Sequence, residues 1–487
     1  MAPSDFSKDG FMHDGKLPAG GVKVLVPAGA LGAGVRPEEV EVGLAAGAHA
    51  IALDAGSTDS GPAYLGTGKS KYSRAAVKRD LSILMAARAR AGIPLLVGSC
   101  GTSGCDEAVD WTLEIVLEIA AEQGLTPRVA VLYSEQDKAV LKGRNAQGRI
   151  RPLPPLGALD DAMIDACAHI VALLGPEPYV AALQAGAEIV LGGRTTDTAV
   201  LAAVPLMLGA AAGPAWHGAK VAECGGQCTV NPMSPGILFT VDGEGFDIVP
   251  LSPDNRCEPH TVSAHMLYEN SDPFRLIEPG GVLDVTGSDY RSLDGRAVRV
   301  TGSVWEPRPY TMKLEGAGGG PFQTVMLVGI EDREVLADID GFVARMGQIL
   351  RERVDRAMGE AAGDFDISLR AYGWNAVSGV TPAAGTAPPR EVGLLFVATA
   401  ESQVLATQIA KACNPYFFHF PVRMGIELPS YAFPFSPAEI ERGQVFEFKL
   451  NHVVETTDPF ELVRTRWVDL GQDKFGQEGE ADHGHAA

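Results

Sequence analysis

Cysteine is scarce in this chain: 7 among 487 residues, an odd number. That excludes a disulfide-built secreted scaffold and suits a reducing compartment. Positive charge is short as well, with 40 Lys and Arg against 61 Asp and Glu, a net −21. Such a balance argues against nucleic-acid and anionic-membrane partners, because both need a basic surface. It leaves room for one local basic pocket. Long apolar runs are also missing. The longest uncharged stretch, Thr198 to Trp216, carries Pro205 and Pro214 and falls short of the roughly 20 apolar residues a membrane span needs. It reads as a buried helix. The opening residues, Met1-Ala2-Pro3-Ser4-Asp5, do not follow the basic-then-apolar pattern of a signal peptide, so the cytoplasm is the expected location.

What is present is ordinary globular chemistry, 46% apolar and 21% charged, with a surplus of glycine at 57 residues. The length predicts two or three domains. From Lys23 to Pro205 short β-rich runs alternate with helical patterns. Strands are expected at Val24–Val26, Ala50–Leu53, Pro94–Val97, Arg128–Leu132 and Glu188–Leu191. Helices are expected at Pro37–Ala48, Ser73–Ala91, Asp106–Gln123, Glu177–Gln184 and Asp197–Leu208. This alternation predicts an α/β fold, a largely parallel sheet covered on both faces. From Gly213 the pattern changes to short β-branched runs broken by Gly, Pro and Asp, which predicts a β-rich middle region. Gly316–Gly320 (GAGGG) reads as a hinge or a substrate loop. A helix is expected at Val335–Arg356, a strand at Ile367–Tyr372, and a linker at Ala383–Arg390. The resulting division is a main region over 20–382 (an α/β part to 212, a β-rich part with a helix from 213), a small α+β domain over 391–470, and tails at 1–19 and 471–487.

Ligands of parallel α/β sheets bind beyond the carboxyl ends of the strands. Four strand ends here run into small, polar loops: 27–34, 54–62, 98–106 and 192–197. Loops of this kind offer backbone N–H groups near helix starts, which suits a carboxylate, a phosphate or an enolate-like anion. Arg194 either grips such an anion with its planar fork or braces the loops by pairing with Asp197 or Asp54. Thr195 and Thr196 either bind the anion or cap a helix. Ser57, Thr58, Ser99 and Thr102 join the anion-binding set, and Lys69, within the basic cluster Lys69, Lys71 and Arg74, either steers the substrate or sits in solvent. Asp59, Asp106 and Glu223 are the candidate proton-transfer carboxylates, although Asp106 equally fits a helix N-cap and Glu223 an ordinary surface position.

Several familiar motifs fail in detail. Gly66-Thr67-Gly68-Lys69-Ser70 lacks the earlier glycine of a phosphate-binding loop, since Ala63 fills that slot. No dinucleotide fingerprint opens a helix after a strand, so no cofactor is expected. Cys224 and Cys228 lack a second ligand pair for structural zinc, and no metal is expected. Asn414–Phe420 is aromatic and costly to expose, which predicts an interface and a homo-oligomer, with a second subunit as a further partner.

Four features together resemble one family: the N-terminal Gly-rich loops; the run Ala185–Asp197 (AGAEIVLGGRTTD); Glu223–Gln227 (ECGGQ); and the late Ala432–Pro437 (AFPFSP) with Asn451–Val454 (NHVV). They resemble the acyclic terpene utilisation family, AtuA, from about Lys23 to about Val454. The resemblance implies that the C-terminal part is a small ferredoxin-fold unit. It also implies a role in degrading branched isoprenoid acids as acyl-CoA thioesters. Joined to the loop chemistry, it leads to an expected lyase or hydratase working through an enolate on a small anionic substrate. A non-catalytic binding or assembly subunit and a Ser/Cys hydrolase are the alternatives.

Overall fold

A computed structural model describes residues 17–383, 385–422, 428–429 and 431–471. Most of the two expected tails, and Ala384 within the expected linker, lie outside the described residues. The chain forms two compact units. One runs to Gly318 and resumes at Phe448; the other is Gly319–Glu447.

The first unit is built on a ten-stranded sheet. Its centre is parallel: Val22–Val26 pairs with Ala50–Asp54, which pairs with Leu95–Gly98, and Ile189–Gly192 lies between Leu95–Gly98 and Arg128–Tyr133. These strands bury both faces. Val24, Ala52, Leu96, Ala130 and Val190 enter one core, and Leu25, Leu53, Val97, Val131 and Leu191 enter the other, as expected where helices cover both sides of a parallel sheet. Helices Arg74–Ala91 and Asp106–Gln123 pack on the second face through Leu81, Leu84, Val109 and Val116. Local chemistry sets their ends. Ser73 Oγ accepts from Ala76 N–H at one start, and Gly92 and Gly124 close the two helices in the left-handed conformation. The stretch expected as one buried helix forms two, Ala199–Met207 and Ala212–Ala222, both deep in the first core.

The sheet is mixed, not largely parallel. Its four parallel pairings are outnumbered by five antiparallel ones. Ile237–Val241 docks antiparallel on Val22–Val26, and Gly245–Pro250, Val298–Thr301 and Asp289–Ser292 continue outward from it. Much of the expected β-rich region therefore extends the first sheet. Alternation of residues marks a strand but does not say which open edge it will pair with. Arg275–Glu278, Gly281–Asp284 and Val304–Pro307 form a separate three-stranded sheet, and Thr311–Ile330 and Phe365–Tyr372 join a third sheet, of seven strands. Gly316–Gly320 is neither hinge nor loop, because it lies inside the long strand Thr311–Ile330. There the missing side chains let other groups come close: a Cβ on Gly316 would sit 2.7 Å from Cys167 Sγ.

The second unit has the order β–α–β–β–α–β: residues 319–330, Ile339–Met358, Phe365–Tyr372, Val392–Ala400, Gln403–His419 and residues 440–447. Val392–Ala400 is flanked on both sides by antiparallel partners, Phe322–Ile330 and Phe365–Tyr372. Phe342, Met346 and Leu350 of one helix and Ala406, Ile409 and Cys413 of the other fill its core. The aromatic run read as an interface contributes to this core: Phe417 meets Phe396 edge to face and Phe420 meets Phe342. The helix extends through Phe417 and turns that ring inward, so these two rings are covered by their own unit and not by the expected interface. Among the described residues no helix is long and apolar enough to cross a membrane.

Candidate active site

The loops after the first two parallel strands, the residues around Asp197 and Glu223, and the segment around Glu269 enclose a cavity of about 640 Å³ in the first unit. That size is typical of small-molecule sites. Five carboxylates line it: Asp54, Asp59, Asp197, Glu223 and Glu269. The two cations on its wall are Arg36 and Lys71. Small residues, among them Gly29, Gly34, Gly56 and Gly226, keep the wall thin.

The carboxylates differ sharply in state. Asp54 ends its strand and is buried, and its Oδ1 has no hydrogen-bond partner. Burial pushes its carboxyl well above the usual range, and the neighbouring Asp197 charge adds to this. Asp197 lies at the cavity wall with its Oδ1 2.9 Å from Arg194 Nη1. Burial raises it too, to about 6, with Glu223 adding and Arg194 opposing. Glu223 follows the helix Ala212–Ala222 and is buried against the Lys220 ammonium, with His265 Nε2 3.8 Å away. Burial would raise it, but His265 and Lys220 outweigh that and hold it low. Asp197, raised only to about 6, and Glu223, held low, are ionised near neutral pH, while burial and the Asp197 charge make Asp54 the carboxyl of the three that most favours its protonated form. Environments that push paired carboxyls apart are how one site obtains both an acid and a base.

Asp59 is exposed and accepts from Ser57 Oγ at 2.7 Å. One carboxylate oxygen each from Asp59, Asp197 and Glu269 falls within 4.8 Å of the others, an all-oxygen grouping able to hold a hard cation such as Mg²⁺. Glu269 adopts φ +58, a left-handed conformation unusual for a non-glycine residue. Burial also pushes the Cys224 thiol up, which makes it a poor nucleophile.

Of the residues named from sequence, Ser57, Asp59 and Glu223 line the cavity. Arg194 lies behind it, only 4% exposed. Its Nε bonds Glu315 Oε2 at 3.2 Å, and its Nη1 bonds Ser99 Oγ at 3.0 Å, the Thr195 carbonyl at 2.6 Å and Asp197. The guanidinium thus spans four groups of the protein and holds the strand-end loops together. Thr58 Oγ1 donates to the same Glu315 oxygen at 2.7 Å. Thr195 Oγ1 meets the Tyr179 hydroxyl at 2.7 Å, and Thr196 Oγ1 accepts from Ala199 N–H at the following helix. Thr102 Oγ1 accepts from Lys71 N–H at 3.0 Å, and Lys69 is exposed. Asp106 occupies the first helical position after Cys105, not the cap, and pairs with Arg464. None of these six, nor Ser99 and Arg194, is among the described residues lining the cavity. Sequence reasoning named Asp54 and Asp197 only as partners for Arg194 and not as carboxylates of the cavity wall. It also missed Lys220, His265 and Glu269, which no spacing links to the loops.

Close packing of the loops makes one glycine indispensable. Gly104 has φ +64, and a Cβ there would lie 2.0 Å from the Arg194 backbone nitrogen. Gly104→Ala should therefore cost about 3 kcal/mol or more, from left-handed strain and overpacking together. The urea midpoint of the variant measures this; an unchanged midpoint would contradict the packing.

Searches of curated proteins and of solved structures each returned no match. The family model described as "Acyclic terpene utilisation family protein AtuA" matches residues 58–234 and 239–445. Those segments include Asp59, Asp197 and Glu223 of the cavity and most of the second unit. The chain belongs to the acyclic terpene utilisation AtuA family.

Proposed function

We propose that the protein is an enzyme of acyclic terpenoid breakdown, a lyase or hydratase acting on a small branched carboxylate or its acyl-CoA thioester. One observation carries the reading: Asp54 and Asp197 line the same cavity, Asp54 buried with an unpartnered Oδ1 and its carboxyl pushed well above the usual range, Asp197 held by Arg194 and raised only to about 6. Asp197 removes the proton on the carbon next to the substrate carbonyl. Asp54 protonates the hydroxyl on the neighbouring carbon, which leaves as water; the reverse sequence adds water across the double bond. Glu223 takes no proton. Its fixed charge, held by Lys220, keeps Asp197 basic.

An anionic substrate is compatible with this acidic wall. Lys220 neutralises Glu223, Arg194 pairs with Asp197, and burial favours the neutral form of Asp54, which leaves Asp59 and Glu269 opposite Arg36 and Lys71. Lys71, whose Nζ donates to Ser60 Oγ, and Arg36, which already pairs with Glu39, are with the backbone of the Gly-rich loops the groups that would meet the carboxylate or the enolate oxygen. A hydrolase has less support, since burial disarms Cys224 and no histidine is among the described residues of the wall. The second unit, whose element order is that of ferredoxin-like folds, serves in this reading as the family's accessory unit.

A thermal-shift screen against branched acids, their CoA thioesters and nucleotides tests the reading. A ligand at about 100 times its dissociation constant adds about 2.7 kcal/mol. Acids or thioesters should shift the transition, followed by formation or loss of a conjugated double bond on incubation. No shift with either class would overturn the proposal.

A further inference from the structure

A second group of reactive side chains lies in the first unit, apart from the residues that line the cavity. Cys105 is fully buried at the start of helix Asp106–Gln123. His169 opens the strand His169–Ala172, and its Nδ1 lies 2.7 Å from Glu135 Oε1. Glu135 is itself held in place, since its Oε2 accepts from Asp106 N–H at 2.8 Å. One potential ligand atom from each of Cys105, Glu135 and His169 falls within 4.8 Å of the others. With Glu135 on Nδ1, the Nε2 of His169 is the nitrogen directed elsewhere.

Gly68 shows where it is directed. This residue has φ +65, and a methyl group on its Cα would lie 2.9 Å from Glu107 Oε2, 3.5 Å from His169 Nε2 and 3.6 Å from Cys105 Sγ. A thiol, an imidazole nitrogen and a carboxylate oxygen thus converge on a space that exists because residue 68 has no side chain. Glu107 is exposed, while Gly68 and Cys105 are buried.

We propose that Cys105, His169 and Glu107 form a transition-metal site of the zinc class, with Glu135 orienting His169 from behind. The donor set is the one zinc takes: thiolate, imidazole and carboxylate. The carboxylate on the far ring nitrogen is the usual support for a metal-bound histidine. Tetrahedral zinc needs ligand atoms about 3.5 Å apart, so closing the site takes a swing of the Glu107 side chain toward Cys105 and His169, because the grouping that already lies within 4.8 Å contains Glu135 and not Glu107. Binding forms a sulfur–metal bond and releases the Cys105 proton to solvent. Three protein ligands leave the fourth position to water on the Glu107 side.

The test uses the full-length protein. Metal content is measured as purified, then the protein is stripped with a chelator and titrated with Co²⁺. The expected result is one metal per chain and a thiolate-to-cobalt charge-transfer band. The band should vanish in Cys105→Ser. Affinity should weaken about 10–100-fold in Glu135→Gln, the range for loss of such an outer carboxylate. Should the buried Cys105→Ser chain fail to fold, Glu107→Gln at an exposed position keeps the test open, with a loss of at least tenfold expected. The proposal is overturned by absence of the band or by a band that survives in His169→Gln. Metal content and the cobalt band do not depend on turnover, so this result stands apart from the proposed function.

Discussion

Asp197→Asn should lower kcat by about 10²–10⁴-fold, the range for removing a general base, while ligand binding and the melting transition stay close to those of the parent. The amide keeps an oxygen that accepts from Arg194, so the loop brace survives and only the proton acceptor is lost. The pH profile makes the assignment specific. A base works only when ionised, and Asp197 is raised to about 6. The parent kcat/KM should therefore climb through about pH 6 and level off above it, and this limb should be missing from the residual activity of the variant. Glu223→Gln should move the limb to lower pH, because the fixed negative charge that helps raise Asp197 is gone. A limb that stays put in both variants would assign the base elsewhere.

The second large effect concerns stability. Arg194→Gln should destabilise the protein by about 3–5 kcal/mol, the cost of leaving a buried charge without its partner. Glu315 is 3% exposed, and apart from Arg194 it is held by Lys313 and Thr58. Burial opposes its ionisation, but Arg194 and Lys313 prevail and keep it at about 2 against an ordinary 4.5. A carboxyl lowered on folding adds stability that is complete above its unfolded value and is lost as pH falls through its folded value. The parent should therefore lose part of its stability between about pH 4.5 and 2, and the variant should lose less over that window. Urea unfolding across the window measures both numbers. A variant as stable as the parent would mean that Arg194 is not a brace, and would return it to the anion-gripping role.

Much of the first unit is legible along the chain. The strand–helix alternation from Lys23 to Pro205 locates its five parallel strands, because each is a short apolar run and each intervening helix carries its own signals. Ser73 opens Arg74–Ala91 and Gly92 closes it; Gly124 closes Asp106–Gln123. Such signals act within a few residues, so they survive without knowledge of the fold. The location of the cavity, beyond the carboxyl ends of those strands, follows from the same reasoning, and three of the named residues, Ser57, Asp59 and Glu223, do line it.

The chemistry of the cavity is a tertiary property. The sequence offers Asp197 as a partner for Arg194, and the two do pair, but it gives no sign of the second partner, Glu315, 121 residues later beside a glycine-rich run that does not read as a strand. The raised carboxyls of Asp54 and Asp197, on which the proposed acid and base roles rest, arise only when burial and neighbouring charges act on them, and neither effect exists in the extended chain. The antiparallel edge of the sheet has the same origin, since residues alternate in the same way whichever neighbour a strand joins. By itself the sequence determined what local propensity, capping and alternation can encode: the elements, their order and the edge where a ligand site would lie. Only the tertiary structure decided which charges are buried together, because desolvation and Coulomb coupling depend on distances that the order of residues does not contain.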